Sequence, residues 1–144
     1  MRQRSEERKA FLHGVFTTAL EGGIGYWSAA TAYRWSKPTG RHGSSVEDLD
    51  GFYAVIRSND EEDGWGVKGI EDNAELRIDA DVIARGLSLM RKRHSDGKLG
   101  SISGHDYHKQ WIAADRTNGD DGDYDADMAD QVVQLGLFGE VVFG

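Results

Sequence analysis

His105 and His108 stand one helical turn apart with Asp106 between them, and imidazoles at that spacing on one helix face can share a metal ion. Spacing fixes no third ligand and the HExxH pattern is missing, so surface histidines are the plainer reading and no metal is assigned. The loop before them, Lys98 to Gly104 (KLGSISG), offers an ammonium, hydroxyls at Ser101 and Ser103, and backbone N–H groups leading into a helix start. That is the polarity an anion requires, although the loop does not match a Walker sequence. A small anionic ligand such as a nucleotide would be held by Lys98, Ser101, Ser103 and Gly104, with Trp27 or Trp111 stacking on it. Asp121, Asp123, Asp125 and Asp127 alternate, but a calcium loop of the EF-hand type needs Gly at its sixth position and Glu at its twelfth, and neither is in register.

Other chemistries are set aside by composition. The 144 residues contain no cysteine, which removes disulfides, thiolate metal sites and a cysteine nucleophile together. Serine hydrolase, zinc hydrolase and dinucleotide-binding signatures are missing, and no cofactor is expected. A formal charge of −8 weighs against nucleic acid, because neutralising phosphates supplies most of that affinity. The acidic side chains gather at Glu47 to Asp50, Asp60 to Asp63 and Asp120 to Asp130, while Arg91 to Arg93 form a basic cluster. That cluster suits the negative end of a helix dipole, or an acidic partner. No run approaches a membrane span, and MRQRSEERKAF lacks the apolar core of a signal peptide, so the protein is expected to stay in the cytoplasm where it is made.

These residues need elements to hold them. Seven carboxylates between Asp115 and Asp130 give way to an apolar run reaching Gly144, so a solvated loop turns into a buried element. Met128, Val132 and Leu135, with Ala129, Val133 and Gly136, recur at helical spacing. The pattern predicts a helix over 124–137, capped by Asp123 or Asp125 and stopped at Gly139. Val141 to Phe143 follows as a short strand or buried tail. Leu137, Phe138, Val141 and Phe143 are expected inside, so a chain lacking 138–144 is expected to fail to fold.

Upstream, Ser5 caps a helix over 6–21 whose stripe is Phe11, Leu12, Val15, Phe16, Ala19 and Leu20, ended by Gly22-Gly23. Those glycines are no phosphate loop, since the carbonyls at a helix C-terminus repel anions. A long strand over 24–36 is expected next, with Trp27, Ala29, Thr31, Tyr33 and Trp35 on one face and Tyr26, Ser28, Ala30 and Ala32 on the other. The alternative is a helix through Ala29 to Tyr33. After a polar connection over 40–51, strands are expected at 52–58, 65–68 and 75–78, linked too tightly for crossovers and therefore antiparallel. Asp79 then caps a helix over 80–94 that buries Val82, Ile83, Gly86, Leu87 and Met90. A further helix over 105–117 turns Tyr107, Trp111, Ile112 and Ala114 inward. The expected architecture is a single α+β domain over 1–144: a small antiparallel sheet of three to four strands with helices packed on one face. Aromatic side chains around Trp27, Tyr33 and Trp35 exceed the needs of one small core, which points to a homodimer through the sheet.

EGGIGYW (Glu21 to Trp27), DRTNGDDGDYD (Asp115 to Asp125) and FGEVVFG (Phe138 to Gly144) resemble stretches of a family of small, uncharacterised proteins of actinobacterial phages and their hosts, in which tyrosine often stands at the place of Phe143. The three stretches cover about a sixth of the chain. The resemblance implies a phage or prophage setting in the cytoplasm of a bacterial host and carries no catalytic residue with it. The expectation is an acidic accessory protein that acts by binding a host or defence component instead of by catalysis. The rival readings are an anionic-ligand (nucleotide) binder, or a small nucleotide-acting enzyme using Asp and His side chains of the 105–130 region.

Overall fold

Ser5 opens the first helix by accepting the Arg8 backbone N–H on its hydroxyl at 3.1 Å, with Glu6 and Glu7 in the first turn against the positive end of the dipole. The computed structural model describes residues 4–34, 51–95 and 105–144. In it α1 spans Glu6–Thr18 and tightens its stripe of Phe11, Leu12, Val15 and Phe16 into the core. A wider π-turn, Ala19–Gly23, continues the helix. Its last residue lies against the start of the C-terminal helix so closely that a Cβ on Gly23 would come within 2.8 Å of the Ala126 carbonyl. Gly22-Gly23 therefore ends a helix and admits a neighbour, as its position after an apolar stripe implies.

Strands β1 (Ser28–Arg34), β2 (Tyr53–Ser58) and β3 (Leu76–Asp79) form an open antiparallel sheet in the order β1-β2-β3. Helices α2 (Ala80–Ser95), α3 (His105–Thr117) and α4 (Ala126–Phe138) complete the chain. The helices lie on one face of the sheet, where Phe52, Ala54, Ile56 and Ile78 are buried and Phe16 meets Phe52 at 4.6 Å. The opposite face carries Arg57 and Arg77, exposed, with the Arg77 guanidinium 4.4 Å over the Tyr53 ring. One buried and one solvated face is the usual state of an antiparallel sheet. Among the described residues no helix is long and apolar enough to cross a membrane.

The C-terminal helix is the centre of the packing. From Met128 to Gly136 every residue but Gln131 is buried. Asp125 caps it through the Met128 N–H at 2.9 Å, and Gly139 closes it in the left-handed conformation at φ 77°. Its crossing with α2 is glycine-lined from both sides: a Cβ on Gly86 would overlap the Val132 carbonyl, and one on Gly136 the Val82 carbonyl. Asp79 caps α2 through the Val82 N–H at 3.0 Å.

Four expectations need correction. Trp65 to Lys68 is no strand; Gly64, Gly66 and Gly69 all take positive φ and turn the segment repeatedly, while Trp65 is buried and donates its Nε1–H to the Ala74 carbonyl at 2.7 Å. The first strand begins at Ser28, so Trp27 precedes it. Its faces also change at a bulge: the pairs Ser28–Ser58 and Ala30–Ile56 are followed by Ala32–Val55 and Tyr33–Ala54. The extra residue, Thr31, shifts Tyr33 onto the helix-side face with Ser28 and Ala30, leaving Ala29 and Ala32 on the other. Finally, Val141 is exposed, and Leu137, Phe138 and Phe143 are only partly buried. The tail lies on the surface of the core.

Candidate functional site

Trp27 and Trp111, the two aromatic rings expected to stack on a ligand, are both buried and sit in different parts of the core. Trp111 lines a small apolar cavity of about 10 Å³ with Phe11, Val15 and Met128, and among the described residues its Nε1 has no hydrogen-bond partner. Lys98, Ser101, Ser103 and Gly104 lie outside the described residues, as do the side chains of His105 and His108. Trp35 also lies outside them. Among the described residues no three His, Asp or Glu side chains come together as a metal site.

The two buried carboxylates of the C-terminal half serve the fold. Asp115, on α3, receives Arg8 of α1 at 2.8 Å on one oxygen and Arg91 of α2 at 2.5 Å on the other. Arg8 also donates to the Asp115 carbonyl at 2.7 Å and to Asn118 at 3.2 Å. Three helices are thus fixed at one anion, and one member of the basic cluster, Arg91, is engaged there. Asp130, on α4, accepts three side-chain donors: the Tyr26 hydroxyl at 2.6 Å, the Trp27 indole N–H at 2.8 Å and the Gln134 amide at 2.9 Å. Burial pushes its pKa up despite those donors. The Tyr26 phenol is held above its ordinary value by burial and by its bond to the Asp130 carboxylate, so it remains a donor.

Gln134, fully buried one turn after Asp130, uses both ends of its amide to hold the C-terminal tail. Its Oε1 accepts the Val142 and Phe143 backbone N–H groups, each at 2.7 Å, and its Nε2 donates to the Phe143 carbonyl at 3.2 Å. The Phe143 ring lies flat on Trp27, centroids 4.9 Å apart and 8° from parallel, with Phe138 and Trp65 closing the cluster. Phe143→Ala is therefore expected to destabilise the protein by about 1–2 kcal/mol, from partial apolar burial and lost stacking. Chemical denaturation measures it; an unchanged midpoint would show that the tail contributes nothing.

On the other side of the same connector lies a cleft of about 360 Å³, open to solvent and lined by Leu20, Glu21, Ile24, Gly25, Ser28, Ala30, Tyr33 and Ile56. Its walls are the end of the first helix and the helix-side face of β1. The bulge at Thr31 is what brings Tyr33 to this face, and the helices stop short of it, so Ala30 and Tyr33 stay exposed. The residues between follow one turn: Ile24 O accepts the Trp27 and Ser28 N–H groups and the Ser28 hydroxyl. Tyr26 and Trp27 thereby point to Asp130, while Ile24, Gly25 and Ser28 line the cleft. Volume and lining place it in the range of ligand pockets, mostly apolar with few polar groups. The sequence signals for it were a helix ending in glycines and small residues alternating in the next strand.

Comparison with protein-family models, with curated proteins and with solved structures finds no match.

Proposed function

We propose that this protein acts by binding another protein, docking it at the cleft between the end of α1 and β1. In the phage or prophage setting implied by its resembling segments, that partner is a host or defence component. The observation that carries the reading is the cleft itself: an open, mostly apolar concavity next to a strand whose helix-side face the helices leave uncovered. The described carboxylates that are most deeply buried, Asp115 and Asp130, are taken up by arginine and hydrogen-bond partners that hold helices together. A binder needs only a complementary surface, whereas an enzyme needs titratable groups converging on a pocket.

The test places one bulky side chain on each face of the same strand. Ala30→Trp fills the cleft, while Ala32→Trp adds the same ring on the opposite face, beside Val55. Tagged wild-type protein and both variants are used to recover partners from the bacterial host, and the recovered protein is then titrated against each by calorimetry. Filling the cleft is expected to weaken binding at least about tenfold, since a docked side chain loses its pocket. Ala32→Trp is expected to bind like the wild type. A partner that binds all three equally would remove the cleft from the function. Light scattering of the free protein at micromolar concentration also tests the proposed homodimer, in which a second copy would occupy this surface; a monomer mass would discard it.

A further inference from the structure

The end of the first helix is built against its own stability. Helix C-termini concentrate negative partial charge and favour Lys, Arg or His in the last turn. Here neither α1 nor the π-turn carries a basic residue in its last turn, and an acidic one, Glu21, stands in the π-turn. Glu21 is exposed, and among the described residues no cation pairs with it. Glu21 is one of the residues that line the cleft. The π-turn itself is a departure from regular helix geometry that recurs at functional sites. A carboxylate placed where it repels the helix end, at the rim of an apolar concavity, needs an explanation that the fold does not supply.

We infer that the cleft takes a lysine or arginine side chain of a basic segment of the partner protein, its aliphatic stem against Leu20, Ile24, Ala30 and Ile56 and its charged end beside Glu21. This rests on the cleft being the docking surface. The polar complement supports a cation: the Glu21 carboxylate, the negative end of the helix, and the Ser28 hydroxyl, which donates to the Ile24 carbonyl and so turns its lone pairs to other donors. Lysine and arginine carry the matching shape, an apolar stem with a charged tip. The chain's formal charge of −8 attracts a basic segment at long range as well. An anionic ligand would meet like charge at Glu21 and at the negative end of the helix.

Two acetylated and amidated pentapeptides, Ala-Leu-Lys-Leu-Ala and the same sequence with norleucine at the centre, are titrated into isotopically labelled full-length protein and followed by amide chemical shifts. Shifts are expected to gather at Leu20, Glu21, Gly25 and Ala30, with the lysine peptide binding about fivefold tighter, as one partly exposed ion pair provides. Glu21→Gln should abolish that preference and at the same time raise the melting temperature by about 2 °C, because it removes the repulsion at the helix end. A residue with a purely structural role would not move the two readouts in opposite directions. Equal binding of both peptides in the cleft would overturn the cation and leave the docking surface standing. Shifts elsewhere, no shifts with either peptide, or a Glu21→Gln variant that melts lower would overturn the inference, and the Ala30→Trp partner titration then judges the docking surface separately.

Discussion

Gly86→Ala is expected to destabilise the protein by about 2–4 kcal/mol, although alanine is the better helix former by about 1 kcal/mol. The added methyl has nowhere to go, because it would overlap the backbone carbonyl of Val132, and a carbonyl within a helix cannot swing aside as a flexible side chain can. The two helices must separate at their crossing, which opens the packing around Val82, Leu87, Val132 and Val133, all buried. Gly136→Ala should act alike through the Val82 carbonyl. The double variant is expected to lose less than the sum, since helices already forced apart accept the second methyl more cheaply. Gly25→Ala is the control: nothing lies within 4 Å of its added Cβ, so its effect should stay within about 0.5 kcal/mol. Urea unfolding of the four variants measures this. A Gly86→Ala protein as stable as the parent would mean that α2 and α4 are not in such close contact.

The features legible in the sequence were those decided locally. Ser5, Asp79, Asp125 and Gly139 cap or close their helices as their residue types predict, because a cap depends on a backbone group three or four positions away. The apolar stripes of the helices were legible for the same reason, and with them the α+β class. What failed depended on non-local partners. Trp65 and Val67 are β-forming residues, but three glycines in left-handed conformation bend the segment into turns. The bulge at Thr31 follows from pairing with β2, where Thr31 lies close to the Val55 carbonyl and bonds to Glu75, 44 residues on. Nothing in the alternation of small residues marks where such a step falls. Asp130 and Gln134 did carry a signal, as two polar residues one turn apart on an otherwise apolar helix. Their partners Tyr26 and Trp27 lie more than 100 positions away and could not be read from spacing. The cleft, assembled from residues 20 to 56, was hidden for the same reason, although an acidic residue at a helix end was visible from the start.

Asp130→Ala is expected to destabilise the protein by about 2–4 kcal/mol, because it strips the acceptor from the buried Trp27 N–H and one acceptor from Gln134. Asp130→Asn keeps an acceptor and removes the titration, so comparing it with the wild type isolates the carboxyl group. The folded-state pKa of Asp130 is raised above 3.8, which means that between those two values the folded state holds a proton that the unfolded chain has released. The stabilisation is therefore complete below about pH 3.8 and is lost as pH rises through the raised value. The stability of wild type minus that of Asp130→Asn should be largest at pH 4 and decline toward pH 7, whatever the other carboxylates do in common to both. Tyr26→Phe removes a donor that favours the ionised form, so in that background the decline should extend to higher pH. Urea unfolding at intervals of half a pH unit gives the curves. A difference that grows with pH would show that the three hydrogen bonds to Asp130 outweigh its burial, and that the carboxylate is the form the fold prefers.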